Sequence, residues 1–253
     1  MYPEERQQWI VEHARSVGRV DVAALADELD VTTETIRRDL KVLERHGMLR
    51  RVHGGAIPVE RLGFEPGLAA RDAVLTAEKE RIAKAALAEL PAEGSILLDA
   101  GTTTARLAEI LPLDRELIVL TNGLPIAMSL SARPNLTVLL VGGRVRGRTL
   151  AAVDSWALHA LADTYVDVAF IATNGVSPAR GLTTPDTTEA AAKRAMIGAA
   201  RRCVLLADHT KVGNDHLARF ASLDDIDVIV TDAGIDPDDA DQLRAAGPRV
   251  VIV

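Results

Sequence analysis

The chain has 253 residues, a net charge of -7, one cysteine, and 48% hydrophobic residues against only 3% aromatic. One or two domains are expected at this length, and a core so poor in aromatics must be aliphatic, as in parallel sheets built from Val, Ile and Leu. A lone cysteine excludes an internal disulfide, no apolar run nears the ~18 residues of a membrane span, and the acidic balance disfavours a general nucleic-acid coat.

The chain opens M-Y-P-E-E-R-Q-Q-W-I, polar and acidic, with no signal-peptide core. Together with the single Cys203, which is set in an apolar run, this points to the cytoplasm. Glu4 to Ser16 is a predicted helix with Ile10, Val11 and Ala14 inward, ended by Val17-Gly18-Arg19. Val20 to Val22 suits a short strand. Val22 to Leu29 is a second helix with Val22, Leu25, Ala26 and Leu29 on one face, and Asp30-Val31-Thr32 is a polar turn. Thr32 then caps a third helix whose stripe is Ile36, Leu40 and Leu43, with Gly47 as its stop. At about 100° per residue, Glu34, Arg38, Lys41 and Arg45 fall on the opposite face, with Arg37 beside them.

Leu49 to Val52 is strand-like, and His53-Gly54-Gly55 can turn it back through Ala56 to Val59. A helix, a short turn, a second helix and a small basic hairpin make a winged helix-turn-helix, whose second helix enters the major groove of DNA. Taken alone, the third helix is equally well a surface helix with a solvated charged face. The preceding helix, the turn and the Arg-rich hairpin weigh against that reading. Charge is distributed accordingly: residues 1–30 carry three basic and seven acidic side chains, residues 31–57 six basic and three acidic. So small a positive footprint suits a site-specific binder of double-stranded operator DNA that acts as a homo-oligomer, dimer or tetramer. The expected DNA contacts are Thr33, Glu34, Thr35, Arg37, Arg38, Lys41 and Arg45 on the helix, and Arg50, Arg51 and His53 on the wing.

Residues 60–75 lack periodicity and contain Gly63, Pro66 and Gly67, so they are expected to link a first domain, 1–59, to a second, 76–253. Asp72 to Leu90 is helical, with Thr76 capping its main part. From Ser95 onward short apolar strands alternate with helices: Ser95–Ala100, Leu117–Asn122, Leu136–Gly142, Val166–Thr173, Arg202–Asp208, Val228–Asp232 and Arg249–Val253 are the strands. This is a parallel α/β domain. Asp186, with Glu189 three residues on, resembles a capping box for the helix from Thr187 to Ala200.

Polar residues gather where those strands end: Asp99-Ala100-Gly101-Thr102-Thr103-Thr104, Thr121-Asn122-Gly123, Gly142-Gly143-Arg144, Thr173-Asn174-Gly175 and Asp208-His209-Thr210-Lys211. Ligands of open α/β sheets bind at the carboxyl ends of strands. The Gly-Thr-Thr-Thr turn opens a helix and suits phosphate, through free amides and hydroxyls, with Arg144 or Lys211 supplying positive charge. The plainer reading is that its threonines only cap the helix. No Gly-x-Gly-x-x-Gly follows the first strand and no P-loop is present, so neither a dinucleotide nor an NTP is expected. Asp208, His209 and His216 match no zinc spacing, and neither a metal nor any other cofactor is expected. Cys203 is taken as core, and Lys193 as part of a solvated helix face with a ligand role as the lesser reading.

T-I-R-R-D-L followed by R-V-H-G-G-A resembles the signature of the DeoR family of bacterial transcriptional repressors. D-A-G-T-T-T, T-N-G-L-P-I-A, V-G-G-R, D-V-A-F-I-A-T-N-G, G-L-T-T-P-D and L-A-D-H-T-K-V-G resemble the successive motifs of that family's effector domain. The resemblance implies a fold like that of ribose-5-phosphate isomerase and a response to a phosphorylated sugar. It puts Gly101, Thr102, Thr103 and Thr104 on the phosphate. Asp99, Asn122, Gly142, Gly143, Asn174, Asp208 and Lys211, with Arg144 as a cation, would line the sugar. Two departures stand out: Asp-Ala-Gly where Asp-Ser-Gly is usual, and Val153-Asp154 where Val-Gly is usual. G-R-T-L-A-A-V and E-A-A-A-K-R-A-M-I look most like regulators of fructose and related sugar uptake. The expected function is a repressor of a sugar operon, not an enzyme. The competing readings are a sugar-phosphate isomerase or deaminase with a DNA-binding appendage, for which Asp208 and Lys211 are the obvious acid–base candidates, and an activator with the same DNA contacts.

Overall fold

The computed structural model describes residues 3–45, 48–52, 54–58, 65 and 67–253, in two units divided between Phe64 and Glu65. In the first unit, α1 (Pro3–Val17), β1 (Val20–Asp21), α2 (Val22–Glu28), α3 (Thr33–Arg45), β2 (Leu49–Val52) and β3 (Gly55–Pro58) follow one another. The strands form an antiparallel sheet in the order β1-β3-β2. Ile10, Leu25, Ile36, Leu40, Leu43, Leu49 and Ala56 are its buried centre, so the helical stripes and the hairpin meet in one core. Truncating one of these large side chains to alanine costs about 2–5 kcal/mol. The Asp21 carboxylate caps α2 by accepting from the Ala23 amide at 2.8 Å, and the Thr32 hydroxyl caps α3 through the Thr35 amide at 3.2 Å. Arg6 donates from Nε to Asp39 at 2.6 Å, a buried pair that ties α1 to α3. At Gly55 an added Cβ would lie 2.0 Å from the Val20 carbonyl oxygen, so only glycine lets β3 close on β1. The stop at Gly47 and the turn residue His53 lie outside the described residues.

The second unit begins with α4 (Leu68–Asp72), α5 (Thr76–Ala86), β4 (Gly94–Leu98), α6 (Thr102–Glu109), β5 (Leu117–Thr121), α7 (Leu124–Leu130) and β6 (Leu136–Leu140). A small hairpin, β7 (Arg144–Val145) and β8 (Ala152–Val153), leads into α8 (Ser155–Ala162) and β9 (Val166–Ala172). Then come β10 (Gly175–Ser177), β11 (Gly181–Thr184), α9 (Thr187–Gly198), β12 (Ala200–Leu206), β13 (Ala218–Ala221), β14 (Val228–Thr231), α10 (Pro237–Ala245) and β15 (Arg249–Ile252). Seven strands make one parallel sheet in the order β15-β14-β12-β9-β4-β5-β6. One face packs on α5, α6 and α7 through Ile82, Leu107, Ile126 and Leu130. The other packs on α8, α9 and α10 through Leu161, Met196 and Leu243. The chain starts at β4, moves outward through β5 and β6, then returns to β9 and moves out the other way. The order therefore reverses between β4 and β9, the switch point at which such sheets open a crevice for ligand.

Three expectations give way here. Residues 65 and 67–75 belong to the second unit rather than to a linker: Leu68–Asp72 is helical, and the Leu68 amide donates to the Arg148 carbonyl at 3.1 Å. Their anchors are residues far along the chain, invisible to local periodicity. The expected helix from Asp72 breaks at Leu75, which has φ 54° and itself occupies the cap position of α5, while Thr76 bonds back to the Asp72 carbonyl. The second unit is not parallel throughout: β10-β11-β13 form an antiparallel sheet, in which β10 and β11 make a short hairpin and β13 joins β11 from far along the chain, a pairing that leaves no local pattern.

Candidate DNA interface and effector cleft

On α3, Thr33, Glu34, Arg37, Arg38, Lys41 and Arg45 are exposed and Thr35 is half-buried, while Ile36, Leu40 and Leu43 face the core. The basic face is therefore presented to solvent as a continuous stripe. Arg37 lies 3.7 Å from Glu34, a contact on the same helix face that is weak in water. Among the described residues, Arg38, Lys41, Arg45 and Arg50 have no ion-pair partner. On the wing, Arg50 and Arg51 are exposed, and the Arg51 amide donates to Glu44 at 3.0 Å, fixing the hairpin against the end of α3.

At the switch point the Asp99 carboxylate is buried, accepting from the Ala172 amide at 3.0 Å and from the Lys193 ammonium. Lys193 reaches there from α9 and also donates to the Ala172 carbonyl at 2.9 Å. Burial holds the Asp99 carboxyl above its usual range, with Lys193 pulling the other way. The solvated face expected for Lys193 is thus corrected: the residue is 4% exposed, its ammonium buried beside Asp99 at the switch point, because α9 packs with that side against β9. Only an otherwise alanine-rich, small-residue helix face could have hinted that α9 approaches the sheet closely.

The Gly-Thr-Thr-Thr turn opens α6 as expected, but its threonines divide. Thr104 is fully buried and donates to the Asp99 carbonyl at 2.6 Å and the Gly101 carbonyl at 3.0 Å, so it locks the turn and is no phosphate donor. Thr102 and Thr103 are 8% and 6% exposed, and neither hydroxyl bonds to a described group. The first intrahelical bond is Ala105 to Gly101, which leaves the amides of Thr102, Thr103 and Thr104 free at the positive end of the helix.

The other expected lining residues hold the crevice's loops. Asn122 accepts from the Ala100 amide at 2.9 Å and donates to the Ala152 carbonyl at 3.2 Å, so its amide clamps two loops. Gly143 has φ 143°, and a Cβ there would meet the Val153 carbonyl at 2.5 Å, while nothing crowds Gly142. Arg144 is not a free cation: its Nε lies 2.5 Å from Asp154. Asn174 accepts from the Thr184 hydroxyl at 2.9 Å. Asp208 is buried and caps the short turn at Thr210 at 3.1 Å, and Lys211 is half-buried. Asp99, Gly101 and Asn122 are joined by these bonds; Asn174, Asp208 and Lys211 stand at the ends of β9 and β12 further along the sheet.

Several charge pairings escaped the sequence reading. Lys79 on α5 is buried, donates to the carbonyls of Arg71 and Val74, and burial pushes its pKa down to about 8. Asp208 and Lys211 are among the charges it senses. His209 Nδ1 lies 2.7 Å from the buried Asp232; burial would raise that carboxyl, but hydrogen bonds from His209 and the Gly234 amide prevail and hold it low. Arg146 joins Glu65 at 3.1 Å, Asp186 at 3.2 Å and Glu189 at 2.7 Å. The capping box at Asp186 is therefore half made: Asp186 accepts from the Glu189 amide at 2.9 Å, but the Glu189 carboxylate turns to Arg146. Ionic partners this far apart in sequence leave no local signal.

Residues 6–61 match the DeoR-like helix-turn-helix domain, and residues 75–233 match the DeoR C terminal sensor domain. This chain belongs to the DeoR family. DeoR-family relatives align along almost its whole length. The HTH-type transcriptional regulator GlpR of Haloferax volcanii is 38% identical over 252 residues, 99% of this chain and 98% of its own. A putative aga operon transcriptional repressor of Escherichia coli O157:H7 is 31% identical over 251 residues, 98% of this chain and 93% of its own. Among solved structures, ribose 5-phosphate isomerase A from Methanocaldococcus jannaschii aligns with 53% of each chain at 16% identity and TM-score 0.39, too slight a likeness to carry an argument. The DeoR-family relatives are named as regulators, so this chain is a transcriptional regulator and not a sugar-phosphate enzyme. No helix among the described residues is long and apolar enough to cross a membrane.

Proposed function

We propose that this DeoR-family regulator represses a sugar uptake or catabolism operon as a homo-oligomer, and that a phosphorylated sugar releases it from its operator. The observation that carries the sensing half is the first turn of α6. Three free amides and the Thr102 and Thr103 hydroxyls stand beside the Asp99–Lys193 pair, in the crevice where the strand order reverses. A phosphate would take the helix N-terminus, and the buried carboxylate and ammonium would meet sugar hydroxyls as acceptor and donor. The Arg144–Asp154 pair would stand at the rim near Gly142 and Gly143. The basic stripe of α3 would read the operator and the wing would hold its phosphates.

A thermal-shift panel of sugar phosphates, beginning with fructose phosphates, identifies the effector. Titration calorimetry then compares wild type with Thr103→Val, which removes one hydroxyl at nearly constant volume. The variant is expected to bind operator normally and the effector about tenfold or more weakly, the loss of one hydrogen bond to a charged group of ~1.5–3 kcal/mol. Equal effector affinity would remove the α6 turn from the site.

A further inference from the structure

Residues 65 and 67–75, with which the second unit begins, are tied to both helix layers of the sheet. On the layer of α5 and α6, Asp72 accepts from Arg106 at 2.9 Å, and Lys79 donates to the Arg71 and Val74 carbonyls. On the other layer, Glu65 takes Arg146 at 3.1 Å, and the same guanidinium pairs with Glu189 in the first turn of α9. Arg71 stands between these ties. Its side chain is 19% exposed, and its Nη1 comes no nearer than 4.0 Å to Glu65 Oε1. Its Nε and Nη2 are buried and have no hydrogen-bond partner, and no other described side chain leaves two such atoms. A guanidinium stays charged, so buried donors without an acceptor are costly. Nε and Nη2 form the side-on fork with which arginine takes two oxygens of a phosphate or carboxylate. Glu65 Oε1 is likewise buried without a hydrogen bond, an acceptor beside that fork.

We infer that Arg71 grips the phosphate of the effector through Nε and Nη2, while Glu65 Oε1 accepts from a hydroxyl of the same molecule. A donor fork beside an unpartnered carboxylate oxygen suits a phosphate ester that carries hydroxyls better than a bare anion. α4, which carries Arg71, packs against α6, so the fork joins the free amides that open that helix. The inference rests on the sugar-phosphate reading and supplies the cation that spacing assigned to Arg144 or Lys211. It also makes the opening segment of the second unit part of the site, held by direct contact when the effector binds.

Inorganic phosphate is the probe, titrated into the full chain at constant ionic strength against chloride and followed by phosphorus NMR line width and by thermal shift. Wild type is expected to bind it. Arg71→Lys keeps the charge but lacks the fork, and should bind about tenfold or more weakly. Arg71→Met keeps the apolar stem and should bind as weakly. Its melting temperature without phosphate should equal or exceed that of wild type, because unmet buried donors are removed. An arginine that only anchors its segment would give the reverse, a lower midpoint with unchanged phosphate affinity, and that result overturns the inference. Phosphate binding weakened by Thr103→Val but not by Arg71→Lys overturns the role of Arg71 and leaves the α6 turn standing. A wild type indifferent to phosphate overturns the site, while the panel of sugar phosphates decides the functional reading separately.

Discussion

Asp154 stands at φ 77° and ψ -173°, a backbone region that glycine enters freely and aspartate does not. Its carboxylate does not cap α8 but goes to Arg144. Such strain costs about 1–3 kcal/mol. Glycine there would relieve it and give back roughly 0.5–1 kcal/mol through the freedom of the unfolded chain. The Arg144 pair is largely exposed and contributes little. Asp154→Gly is therefore expected to be about 1 kcal/mol more stable, a rise of ~2–4 °C in melting temperature for a chain of this size. A lower midpoint would mean that the aspartate stabilises its turn. Lys79 gives a second test. Its pKa falls from an ordinary 10.5 to about 8 on folding, so between those values the unfolded state binds more protons. Stability from this group is lowest below pH 8 and rises as pH climbs towards 10.5. Urea midpoints of wild type and Lys79→Met, at about pH 7 and about pH 9.5, should show the difference moving in favour of wild type at the higher pH. A difference independent of pH would show that the ammonium is not strained by its burial.

The winged unit was readable almost entirely from spacing. The stripe Ile36, Leu40, Leu43 had to be buried, and whatever lay opposite had to face outward. Helix and wing should nevertheless fail differently. Arg38 is in the first half of α3, where base edges are reached, and one bidentate contact to guanine is worth ~1–3 kcal/mol. Arg38→Ala should lose operator preference in a gel shift with an unchanged melting temperature. Arg51, fixed by Glu44 against the end of α3, should touch phosphate. Arg51→Ala should weaken all DNA alike and lower the salt slope by about one. A changed base preference in Arg51→Ala would reverse that division. The helix α9 shows where spacing fails. Its alanines and its cap could be read, but Lys193 and Glu189 take partners, Asp99 and Arg146, set by how α9 lies on the sheet.

Across the second unit, ion pairs join the crevice to the segment at which the unit begins. One turn of α9 carries Lys193 at Asp99, and the turn before it carries Glu189 at Arg146, which also holds Glu65. A ligand that competes for Lys193 thus pulls on the helix whose first turn holds, through Arg146, Glu65 at the start of the second unit. Binding there can change operator affinity only through a difference between two conformations, and operator must then weaken the effector by the same factor. A coupling of ~1–3 kcal/mol gives a 5- to 150-fold effect in each direction. Calorimetry of the effector with and without operator, set against operator titrations with and without effector, should return equal factors. Equal effector affinity in the two states would end the allosteric reading.

Taken alone, the sequence determined what is local: which segments are helix or strand, which faces are apolar, that strands alternate with helices, and that Thr102, Thr103 and Thr104 open a helix. Periodicity and capping act over a few residues, so they are written in consecutive letters. Only the tertiary structure decided which polar side chains are left for a ligand. Asn122 spends its hydrogen bonds on Ala100 and Ala152, Thr104 and Asp208 close their own turns, Arg144 pairs with Asp154, and Lys193 reaches from α9 to Asp99. Buried polar groups must find partners, and those partners come from whichever strand the sheet order brings alongside.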